Sequence, residues 1–256
     1  MNQPKTQSNQ RALAPIIGQI LITSLVVAAV LSVSAIAIPV IEENQASIQQ
    51  EVMLDATEQF EEELMAVAST NISRATSIDA PAGAVTLGEE TTTIQFEDTD
   101  SAQTHTIKSS NIGFTAGDSE LTYEAGLLSR SLGPHSSQIE SEPAQQVTTG
   151  SSSRYAIQFV ELNVTETRRL TSGRAFNFQT YIVPRDAPQT SVFDSNNSGD
   201  IRVTVDTNST AAWEFYFSNH PGFENVSTSS GEVVADVSPD TTLQVTSTPI
   251  SVRAEQ

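Results

Sequence analysis

Tyr155-Ala156-Ile157-Gln158-Phe159-Val160-Glu161-Leu162-Asn163-Val164 decides how most of the chain is read. Apolar and polar side chains alternate along it. A period of two marks a strand with one face on a core and the other in water. Similar runs flank it: Thr91–Phe96 and Glu120–Glu124 before, then Ala175–Val183, Ile201–Val205, Trp213–Phe217, Glu232–Val237, Leu243–Val245 and Ile250–Val252 after. Turn-forming Ser, Thr, Asn, Asp and Gly separate them. Residues 84–256 therefore read as a mainly antiparallel β head domain, built as a sheet on a helix or as a sandwich. The polar stretch Ser131–Ser153, with Gly133-Pro134 and Glu142-Pro143, predicts a long exposed loop or an interdomain seam.

Ahead of the strands the period changes. Ile48, Val52, Ala56, Phe60, Leu64 and Val67 recur every three or four residues, which is one face of an α-helix. Glu51, Asp55, Glu58, Glu62 and Glu63 fall on other faces. No Gly or Pro interrupts residues 40–74, so this segment predicts an amphipathic stalk helix. Pro81 and Gly83 end any helix outright.

Further upstream, Ile16–Ile38 carries no charged side chain. At 1.5 Å per residue such a helix is about 34 Å long, enough to cross a bilayer. Lys5 and Arg11 precede it, and Glu42 and Glu43 follow. That bias predicts a single-pass membrane protein with residues 1–12 cytoplasmic and the rest outside. A secretory signal cut after Ala37 is the competing reading, but the apolar run exceeds the usual signal core. The resulting plan is α+β: a long N-terminal transmembrane and stalk helix over 13–39 and 40–74, then the β head.

The segment Arg11-Ala12-Leu13-Ala14-Pro15-Ile16-Ile17-Gly18 resembles the start of haloarchaeal type IV pilins and pilin-like proteins. The resemblance covers residues 11–38. It implies cleavage by a prepilin peptidase between Ala12 and Leu13, and assembly with identical or related pilin-like subunits. The glutamate that many such proteins carry five residues into the mature helix is Ile17 here.

Charge agrees with that setting independently. The formal net charge is −19, all 31 carboxylates lie after residue 40, and Lys5 and Lys108 are the only lysines. An acidic, lysine-poor surface suits salty water, where ions screen self-repulsion. It also excludes nucleic acid as a partner. With no cysteine, disulfides, thiolate zinc sites and a Cys nucleophile are excluded.

The chemistry-bearing motifs are few. Five N-x-[ST] sequons, at Asn71, Asn163, Asn196, Asn208 and Asn225, are candidate N-glycosylation sites. Asp194–Asp200 resembles half of a calcium loop but lacks the closing glutamate, since Val205 stands there. It and Glu97–Asp100 read as solvated turns. His105, His135 and His220 show no metal-ligand spacing, and no nucleotide or hydrolase fingerprint occurs. The expectation is a protein without cofactor, metal or catalytic site: a pilin-like surface structural or adhesion protein. A monomeric tethered binding module is the alternative, and a secreted enzyme a more distant one.

Overall fold

The computed structural model describes residues 48–255, apart from 81, 117–118, 134–135, 149–152 and 196–200. Residues 48–70 form helix α1. Fifteen strands follow, with one further helix, α2 (Thr210–Asn219). The strands are β1 (Arg74–Ala80), β2 (Gly83–Asp98), β3 (Thr104–Ala116), β4 (Ser119–Glu124), β5 (Leu127–Gly133), β6 (Ser136–Ser141), β7 (Ala144–Thr148) and β8 (Ser153–Val164). Then come β9 (Arg168–Ser172), β10 (Phe176–Pro184), β11 (Gln189–Asp194), β12 (Ile201–Asp206), β13 (Phe223–Ser229), β14 (Glu232–Val237) and β15 (Thr241–Glu255).

This corrects the expected α+β plan. The described residues form a β-rich domain with two short helices, not a long helix carrying a separate head. No helix among them is long and apolar enough to cross a membrane, so the single-pass membrane location loses its support. The apolar segment 13–39, the leader 1–12 and the candidate cleavage site Ala12–Leu13 lie outside the described residues.

One sheet has the order β1-β10-β15-β8-β7, with β11 also on β15. The other runs β13-β14-β12-β2-β3-β4-β5-β6, with β9 on β2. Strand β15 pairs in parallel with β8 from Thr241↔Ser153 to Val252↔Val164. Its other edge takes β11 along Thr242–Ser247 and β10 along Ile250–Glu255.

Two cores result, and β8 and β15 serve both. Tyr155, Ile157 and Phe159 face one core with Leu243, Val245 and the aromatic residues of α2. Val160 and Leu162, of the opposite parity, face the other with Ile250, Val252 and α1. The buried face therefore switches between Phe159 and Val160. In that second core Met53, Ala56, Phe60, Leu64 and Val67 of α1 are buried, and Phe60 meets Tyr123 edge-on. Val52 is half-buried and Ile48 exposed.

The sheets are stitched where β8 runs on past β7. Ser109 Oγ on β3 accepts the backbone N–H of Leu162 and of Ala125, at 3.1 and 3.3 Å. Those donors are thereby satisfied in a buried seam. Gly88 (φ +68°) lies in the bulged stretch of β2, where a Cβ would come within 2.8 Å of Val164. Only glycine fits both that backbone and that approach.

Two local readings are also corrected. Trp213–Phe217 is helical, not a strand. Buried Ala212, Trp213, Tyr216 and Phe217 make one helical face, while Phe215 is exposed. The polar stretch 131–153 is not one long loop, because it contains β6 and β7.

Candidate interaction surface

Strand β10 has side chains of two kinds. Phe178, Thr180 and Ile182 point into the core shared with α1, where Thr180 Oγ1 donates to Thr76 O. Tyr181 and Val183, of the opposite parity, are 36% and 42% exposed. Register carries this outer face across the sheet: Val183 pairs with Ser251, and Ser251 with Asn163. Tyr181 likewise pairs with Arg253, whose guanidinium carbon lies 5.8 Å from the tyrosine ring centroid. This is cation–π range, and it holds the ring in place.

A shallow groove of about 600 Å³ opens here, lined by Thr165, Glu166, Tyr181, Val183, Val252 and Arg253 with Ser251. Two lining residues are in exposed ion pairs, Glu166 with Arg168 at 3.7 Å and Arg253 with Glu255, and Arg168 Nη1 also donates to Ala254 O at 2.9 Å. An apolar floor with an aromatic ring and arginines at the rim is the composition of a protein contact surface.

Other groups are structural by the same tests. Glu124 is 2% exposed and accepts hydrogen bonds from Trp213 Nε1 (2.6 Å), Thr92 Oγ1 (2.5 Å) and Thr207 Oγ1 (3.1 Å). Burial raises its pKa, and these bonds oppose the rise. The hub ties α2 to β2 and β4. Beside it lies a polar cleft of about 260 Å³, lined by Glu90, Glu120 and several hydroxyls. Burial lowers the pKa of His105 and of His220. His105 Nδ1 lies 3.0 Å from Ser191 Oγ, and its Nε2 is buried without a partner. Among the described residues no third group completes a relay with this pair. His220 sits among Tyr155, Tyr216 and Phe223.

The sequons scatter. Asn71 (φ +57°) is exposed after α1, Asn208 is exposed before α2, and Asn225 (φ +54°) is exposed at a bulge in β13. Asn225 Nδ2 donates to Asp236. Asn163 is half-buried beside the groove, and Asn196 lies outside the described residues. Asp98 closes its turn by accepting the N–H groups of Asp100 and Ser101. Most of Asp194–Asp200 is outside the described residues, as is His135. Among the described residues no group of three or more His, Asp or Glu side chains is placed to hold a metal ion.

Sequence reasoning missed the groove. The run Tyr181-Ile182-Val183, three apolar residues in a row on an alternating strand, is its signal. Such a run has an apolar side chain on both faces.

Residues 11–253 match the family model of DUF7289, a family of unknown function. No curated protein and no solved structure matches the chain.

Proposed function

The chain belongs to DUF7289 through its apolar segment and its β domain alike, and from that continuity we propose a pilin-like structural and adhesion protein of the cell surface. Residues 13–39 serve assembly with identical or related subunits, after cleavage near Ala12–Leu13 by a prepilin peptidase. The β domain is what the assembly displays. No catalytic step is part of this reading.

The burial of α1 carries the proposal. Met53, Ala56, Phe60, Leu64 and Val67 lie inside the β domain. The apolar stripe of α1 is thus used up within its own chain. Association falls to the uncharged stretch Ile16–Ile38 and to the surface of the β domain.

Mass spectrometry of the mature N-terminus, with sedimentation of the native protein, tests it. A start near Leu13 and multimers are expected. A start at Ile38, or monomers with an intact Met1, would reject it. The groove beside Tyr181 favours a second reading, a monomeric β-domain binding module, which predicts the intact, monomeric outcome.

A further inference from the structure

We propose that the polar cleft at the N-terminus of α2 is a sugar site, holding one neutral, polyhydroxylated ring. This rests on the adhesion reading above and names the chemical class that the displayed domain recognises.

The cleft forms where a sheet face runs on past its cover. Glu124 and Leu127, paired across β4 and β5, lie against α2 and its aromatic residues. The next pair on that face is Thr122 with Ser129, and the one after is Glu120 with Ser131. Ser137 of β6 continues the last row. These side chains line the cleft together with Thr210 and Ala211, the first residues of α2. Hydroxyls and a carboxylate thus stand where the apolar core would otherwise continue.

Ser129 carries the inference. It is only 4% exposed and lines the cleft, and among the described residues its hydroxyl has no hydrogen-bond partner. A buried hydroxyl left without a partner is costly. The fold gains nothing from this one, because only what enters the cleft can satisfy it.

The chemistry of the lining selects the ligand. Among the described residues neither Glu90 nor Glu120 is in an ion pair. Asn111 Nδ2 donates to Glu90 at 3.3 Å and holds that carboxylate at the cleft. Two unneutralised carboxylates repel phosphates and acids. They are too few for a metal ion, since no group of three His, Asp or Glu side chains among the described residues is placed to hold one. The cleft also offers donors. Ser209 caps α2 without a side-chain bond, so the N–H groups of Thr210 and Ala211 have no partner within the helix. A bare cation would leave those N–H groups unmatched. A neutral polyol matches both kinds of group, because each of its hydroxyls donates and accepts.

At about 260 Å³ the space falls just short of the pockets of roughly 300 Å³ and more that take drug-sized ligands, so it suits a single ring. None of the lining residues is aromatic, so hydrogen bonds alone supply the affinity, and each contributes little net. Repetition along an assembly turns such weak sites into firm attachment. Asn208, at the head of the sequon Asn208-Ser209-Thr210, also lines the cleft. The ring therefore comes from the chain's own glycan or from a glycan on another surface.

Full-length protein is titrated with the methyl glycosides of glucose, galactose, mannose and N-acetylglucosamine, and binding is read by saturation-transfer NMR. At least one should bind, with a Kd in the millimolar range. E120A, at an exposed position, should weaken it about tenfold, as loss of one charge-assisted hydrogen bond does, and S129A about fivefold. S129A should leave the denaturation midpoint level or higher, whereas loss of a structural hydroxyl would lower it. T228A, exposed and outside the cleft, should change neither. Mass spectrometry of the Asn208 peptide separates the two sources. Binding with Asn208 unmodified assigns the cleft to an outside glycan. A modified Asn208, with binding seen only in N208Q, assigns it to the chain's own. No binding by either protein would overturn the proposal, as would binding indifferent to E120A and S129A, or tighter binding of calcium or spermidine than of any glycoside. Sedimentation of the same samples keeps the two readings apart. Multimers that bind no glycoside reject this site alone, while monomers that bind one reject the assembly reading and keep the site.

Discussion

At the scale of single residues, Glu124 makes the strongest prediction. Burial favours its protonated form, so its folded pKa lies above the ordinary 4.5. The native state then holds a proton that the unfolded chain releases. Stability is full below the unfolded pKa and falls as pH rises from there through the folded pKa. E124Q keeps an acceptor for Trp213 and offers donors to the threonine hydroxyls. It should remove that decline, which chemical denaturation between pH 4 and 8 will show. E124A should cost about 2–4 kcal/mol below the unfolded pKa, because Trp213 Nε1 and two hydroxyls lose their acceptor, and less as pH rises from there. The histidines act with the opposite sign. Burial holds His105 and His220 below the usual 6.5, so both resist protonation in the fold. Their contribution is present above pH 6.5 and lost as pH falls below it. H220N should flatten that acid limb of the stability curve. Little of this was legible beforehand, since a lone Glu and three scattered His carry no spacing signal. Thr92, Glu124, Thr207 and Trp213 converge only through tertiary pairing.

At the scale of elements, the strands whose alternation stays in phase with one core were readable, β12 and β14 among them. Where phase changes, the reading weakened. In β8 the inward positions pass from Tyr155, Ile157 and Phe159 to Val160 and Leu162, because different elements cover the two ends. The opposite face of β10 was left open by the same change of cover. Helix α2 was misread because Trp213, Phe215 and Phe217 alternate, although Ala211-Ala212 favours helix. Tertiary burial of Trp213 and Tyr216 side by side decided it. For α1 the expected cost of Leu64→Ala is about 2–5 kcal/mol, since the side chain is fully buried and the site cannot collapse between two sheets. Exposed Ile48→Ala should change the denaturation midpoint little. Equal effects of the two changes would mean that α1 is not a core element.

At the scale of the whole molecule, charge dominates. A formal charge of −19 makes the folded state repel itself in dilute buffer, and salt screens this. The melting temperature should rise steadily as sodium chloride is raised from about 0.1 M, where the screening length is about 10 Å, toward molar salt. A flat response would count against adaptation to brine. The composition made the net charge plain, whereas two cores sharing β8 and β15 were not legible, because pairings so distant in sequence leave no local trace.

That shared strand sets a timetable for synthesis. β15 is translated after β1, β8, β10 and β11, yet it is what holds them in one sheet, with β8 alongside it in parallel. A nascent chain that has emerged only as far as Asp240 lacks the strand between β8 and β10, so neither core can close around it. Long-range parallel pairing of this kind is slow to form. The emerging chain must therefore travel some distance from the ribosome as an unsealed, acidic polymer. Its own charge keeps it from clumping until Thr241–Glu255 arrives, and ribosomes stalled at Asp240 should hold a chain that proteases cut freely, while those stalled beyond Glu255 by a tunnel length should not.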